Sequence, residues 1–80
     1  MAKTPEDIGR AVYMREFERV DWIGEDGDAL ALADSVINTG MDPVKNPEFF
    51  APKYKALYKK YGASFWDGAR KAWRVAKYGA

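Results

Sequence analysis

Prolines and glycines cut this chain into short stretches, and the apolar residues within each stretch recur at helical spacing, so it must fold as short helices joined by tight links. Thr4-Pro5-Glu6-Asp7 carries the residues of a helix start: a hydroxyl at the cap, proline at the first helical position, and acids in the first turn where the macrodipole favours them. The pattern predicts a helix from Pro5 to about Val20, with Tyr13, Phe17 and Val20 on one face and Ile8 and Val12 pointing elsewhere. Asp21 to Asp28 packs two glycines and four acids into eight residues, the composition of a loop, with Trp22 and Ile23 as its apolar anchor. Asp28 is expected to cap a second helix running to about Asn38, on which Ala29, Leu30, Ala33, Val36 and Ile37 share one arc. Gly40 ends that helix, and its small residues suit a central position because they let a neighbour approach closely.

Met41 to Pro47 reads as an ordered bend, since each proline lacks a backbone donor and disfavours the helical region for its predecessor. A short turn is expected around Pro47 to Ala51, followed by a helix from Pro52. There Tyr54, Leu57, Tyr58 and Tyr61 fall at i, i+3, i+4 and i+7, lysines take the remaining surface, and Gly62 is the stop. Ser64 to Asp67 has the spacing of a capping box. It predicts a last helix over about Phe65 to Lys77, with Phe65, Trp66, Ala69, Ala72, Trp73 and Ala76 on one face and Gly79 just past the end. The expected fold is therefore all-α: one domain over 1–80, a small bundle of three main helices plus a short proline-bounded helical turn. Its expected core holds Tyr13, Phe17, Leu30, Ala33, Val36, Ile37, Leu57, Tyr61, Trp66 and Trp73.

Eighty residues support a single core, and 48% hydrophobic residues exceed the profile of a disordered chain. Cysteine and histidine are both absent, which removes disulfides, thiolate nucleophiles and the usual side chain for proton transfer near neutral pH. A domain this small then rests on apolar packing alone, and help from a partner or from self-association is expected. Mean hydropathy is −0.50, and no apolar run approaches the roughly 20 residues of a membrane span. The first residues contain no apolar stretch of a secretory signal, so a cytoplasmic protein is expected.

The net charge of +1 hides a division at Gly40: four basic against nine acidic residues before it give −5, and nine against three after it give +6. Such a chain can pair its halves internally, pair head to tail with a copy of itself, or present the basic half to an anion.

These features order the functional readings. Hydroxyl nucleophiles lack a histidine to activate them, and Glu16 and Glu18 lie two apart on a helix, so no catalytic residue is assigned and an enzyme is not expected. Glu25-Asp26-Gly27-Asp28 lacks the twelve-position calcium-loop pattern, so neither a metal site nor a cofactor is assigned. Membrane binding through the last helix is disfavoured by its alanine-rich face. Twelve aromatics exceed what a small core absorbs, and Tyr and Trp are favoured interface anchors. The expectation is a small non-enzymatic inhibitor, adaptor or accessory subunit that docks on a larger protein or self-associates. By analogy of size and composition alone, such chains are common among phage-encoded proteins. The interface residues named are Trp22, Phe49, Phe50, Tyr54 and Tyr58. The alternative is nucleic-acid binding through Lys53, Lys55, Lys59, Lys60, Arg70, Lys71, Arg74 and Lys77, since cations neutralise phosphates while aromatics stack on bases.

Overall fold

A computed structural model describes residues 4–15 and 22–79. They form an all-α bundle of four helices, α1 (Pro5–Met14), α2 (Gly24–Thr39), α3 (Pro52–Tyr61) and α4 (Ala63–Tyr78), with a 3-10 turn at Pro47–Phe49 between α2 and α3. Among the described residues no helix is long and apolar enough to cross a membrane.

The start of α1 is the capping box that its sequence implies. The Asp7 amide donates to Thr4 Oγ1, and the Thr4 amide donates to Asp7 Oδ2, each at 3.2 Å. The helix stops earlier than its apolar spacing suggests, because Arg15 closes it in the left-handed region at φ 56°. Phe17 and Val20 lie outside the described residues. The buried side of α1 also differs from the expected one: Ile8, Ala11 and Val12 are in the core, whereas Tyr13 is 42% exposed.

Gly9 explains that choice of face. A Cβ at Gly9 would collide with the Ala69 carbonyl oxygen and lie 2.8 Å from Ala72 Cβ and 2.9 Å from the Trp73 nitrogen. One turn earlier, Pro5 lies against Gly68. The two helices therefore run parallel with their backbones in contact, and α4 covers the Ile8–Gly9–Val12 side of α1, leaving Tyr13 outside.

Helix α2 begins at Gly24, four residues before the expected cap. The acidic stretch Glu25 to Asp28 is its first turn and not a loop, and Asp28 caps nothing. Two physical reasons favour the longer helix: acids at a helix start oppose the macrodipole's positive end, and lysines of α3 face them. Ala29, Leu30, Leu32, Ala33 and Val36 of α2 are all buried, but the close helix approach expected of α2 is made by α1 and α4 instead.

The bend after α2 is ordered by Asp42, whose Oδ1 accepts from the amides of Val44 at 2.9 Å and Lys45 at 2.8 Å, and Pro43 is fully buried. Gly62, at φ 86°, serves both as the end of α3 and as the cap of α4. Ser64 consequently lies inside α4 and not at its cap, and no side chain caps that helix.

The bundle closes on Trp66, which is 1% exposed. Its indole nitrogen donates to the Tyr58 carbonyl at 2.9 Å, its ring stacks on Tyr58 at 5.5 Å, and Phe65 meets it edge-on at 5.0 Å. Ile37, Tyr61 and Trp73 are half-buried against this core rather than inside it.

Candidate functional site

The proline-bounded turn carries the most exposed phenylalanine among the described residues. Pro47 sets the first residue of a single 3-10 turn, the Phe50 amide closes it on the Pro47 carbonyl at 3.4 Å, and the chain leaves through extended Phe50 and Ala51 into α3. One turn is too short to fold both rings inward, so Phe50 packs on the core while Phe49 stays 64% exposed. Beside them is a cleft of about 170 Å³, lined by Ala31, Leu32 and Ser35 of α2 and by Phe49, Phe50, Ala51 and Tyr54.

Of the five aromatics named from sequence, three meet at this cleft: Phe49, Phe50 and Tyr54. Trp22 packs on the core just before α2, and Tyr58 belongs to the Trp66 stack, where burial pushes its hydroxyl pKa up. Sequence reasoning did not single out the α2 wall of the cleft, although Ala31 and Ser35 at i and i+4 are the kind of small residues that leave such a space.

The eight basic residues separate into engaged and open cations. Lys53 Nζ lies 3.4 Å from Asp28 Oδ1, and Lys60 Nζ lies 2.8 Å from Glu25 Oε1, so α3 clamps the acidic first turn of α2. Arg70 pairs with Asp67 at 3.3 Å, and Lys77 sits 4.7 Å above the Trp73 ring and 5.3 Å from that of Tyr78. Lys55, Lys59, Lys71 and Arg74 meet no carboxylate among the described residues. Among those residues no three carboxylate or other metal-ligating side chains converge, and Glu25 and Asp28 face lysines instead.

The Glu25 clamp includes Tyr61, whose hydroxyl donates to Glu25 Oε2 at 2.6 Å. Hydrogen bonds from Lys60 and Tyr61 hold the Glu25 carboxyl below its usual pKa, while burial and the Glu25 bond push Tyr61 up to about 12. A raised tyrosine pKa means that the neutral form is favoured by folding. Its contribution is complete below the unfolded value of 10.0 and is lost as pH rises toward about 12. The depressed Glu25 value acts at the other end: its contribution holds above the ordinary carboxylate range and is lost as pH falls through it. Thermal melts across pH should therefore show an alkaline decline that Tyr61→Phe shares less, and an acid decline that Glu25→Gln shares less. Identical profiles for wild type and Tyr61→Phe would mean that the hydroxyl adds nothing to the clamp.

Two further depressions flank α4. One of about 610 Å³ lies where the ends of α1 and α4 approach α2, and is lined by Val12, Tyr13, Arg15, Asp34, Asn38, Trp73 and Lys77. The other, about 310 Å³, runs between α1 and α4, with Gly68, Ala72 and Ala76 as floor and Glu6, Arg10, Lys71 and Val75 as walls. Against this geometry, scans of protein-family models, of curated proteins and of solved structures each return no significant match.

Proposed function

We propose that this chain is a cytoplasmic, non-enzymatic binding protein whose cleft beside Phe49 receives an apolar side chain from an acidic segment of a partner protein. The observation that carries the reading is Phe49 itself: a large ring 64% exposed on a short, proline-fixed turn, next to a cleft walled by two other aromatics and by small residues of α2. Rigid aromatic anchors of this kind supply most of the affinity of many interfaces. The partner's charge follows from the same side of α3. Lys55 and Lys59 stand one and two turns after Ala51, which lines the cleft, and meet no carboxylate among the described residues.

The test places a photoreactive phenylalanine analogue at Phe49 and maps crosslinked peptides from the native host. The expected product joins position 49 to a segment with an apolar residue flanked by acids. Phe49→Ala should leave folding stability within about 0.5 kcal/mol of wild type. It should weaken binding to the mapped partner by about 2 kcal/mol or more, and Lys55→Glu with Lys59→Glu should weaken it further. Crosslinks spread over unrelated surfaces, or binding indifferent to Phe49→Ala, would overturn the reading. Crosslinking to a second copy of the chain would replace it with self-association.

A further inference from the structure

We propose that the exposed face of α4 is a separate binding surface for the phosphate backbone of a single-stranded nucleic acid. At 100° per residue, Arg70, Lys71, Arg74, Lys77 and Tyr78 fall within an arc of about 120° and extend over a rise of about 12 Å. Lys71, Arg74, Lys77 and Tyr78 are exposed and Arg70 is half-buried at the edge of the arc beside Trp66, while Ala69 on the far side of the helix is buried, so the arc faces outward. Internal pairing sorts the basic half of the sequence. The acidic start of α2 engages Lys53 and Lys60 of α3, whereas on α4, among the described residues, only Arg70 has a carboxylate, that of Asp67. Lys71 and Arg74 have none among the described residues, and Lys77 is held over aromatic rings rather than by an acid. Two other acids border the face across the flanking depressions, Glu6 near Lys71 and Asp34 near Lys77. The cations outnumber them in the row itself.

The aromatic at the end of the row favours nucleic acid over a lipid surface. Tyr78 is 69% exposed, with Lys77 beside its ring and Trp73 edge-on to it, and an exposed ring next to a cation is an arrangement on which bases stack. Insertion into lipid needs a broad apolar side-chain area, and α4 offers only Val75 and Tyr78 outward, with alanines lining the adjacent groove.

The experiment uses the full chain and a fluorescein-labelled oligothymidylate of about 15 nucleotides, followed by anisotropy over a salt series, with phosphatidylserine-containing vesicles in parallel. About three phosphate contacts predict a log–log salt slope near −2 for a single strand. Lys71→Glu with Arg74→Glu should reduce affinity at least tenfold, and Tyr78→Ala about tenfold, with helical circular dichroism unchanged. Lys53→Glu, on the lysine already engaged by Asp28, should change affinity less than about threefold, and Phe49→Ala should not change it at all. No binding at low salt, an effect of Lys53→Glu equal to that at Lys71 and Arg74, or binding to vesicles without binding to oligonucleotide would each overturn the proposal.

Discussion

Replacing Trp66 by alanine should lower folding stability by about 3 to 5 kcal/mol, the usual cost of deleting a fully buried large aromatic. At about 0.05 to 0.15 kcal/mol per residue, the whole chain has about 4 to 12 kcal/mol to lose, so this one change should remove a quarter of it or more. Three contributions disappear together: the buried ring surface, the stack with Tyr58 and edge contact with Phe65, and the indole hydrogen bond to the Tyr58 carbonyl. That last bond ties the end of α3 to the start of α4, so its loss frees the Gly62 corner as well. Trp73→Ala is the control, because Trp73 is only half-buried and its truncation should cost clearly less. Urea denaturation followed by circular dichroism measures both, and equal losses would refute this assignment of the core.

Gly9→Ala should cost about 3 kcal/mol or more, although alanine gains roughly 1 kcal/mol over glycine in a helix interior. Overpacking is milder when the obstructing atoms end a flexible side chain. Here the new methyl meets the Ala69 carbonyl oxygen and the Trp73 nitrogen, which are backbone and can move only if α1 and α4 separate. Separation would uncover Ile8, Val12 and Ala69. Gly68→Ala offers the comparison within the same helix pair, since its methyl would lie 3.1 Å from the Pro5 Cβ and needs a shift of only a few tenths of an ångström. Its effect should be small in either direction. Finding Gly9→Ala as stable as Gly68→Ala would mean that the backbones are not in contact at this crossing.

The candidate surfaces were legible in the sequence as residue types but not as places. Phe49, Phe50 and Tyr54 are recognisable as surplus aromatics around a proline-bounded turn, and the structure sets them around one cleft. Trp22 and Tyr58 look the same in sequence and do not line it, because burial depends on which neighbour covers each ring. The lysines behave alike: Lys53 and Lys55 differ by two positions, yet among the described residues only Lys53 meets an acid, since α2 approaches one side of α3 and not the other.

What depends on neighbouring residues alone is determined by the sequence: the all-α class, the Thr4-Pro5 start, the ordered bend after Gly40, the single turn at Pro47, the α3 limits and the stop at Gly79. Caps, proline geometry and helical periodicity act within a few residues, so their outcome is written locally. Tertiary structure decided that α1 buries Ile8 and Val12 rather than Tyr13, that α2 starts at Gly24, and that Trp66 rather than Trp73 fills the centre. Each of these is settled across the chain. The backbone contact at Gly9 brings α4 onto one side of α1, and the lysines of α3 support an acidic first turn that composition alone assigns to a loop. A broad apolar stripe leaves two faces open to burial, and the partner helix that can approach most closely selects between them.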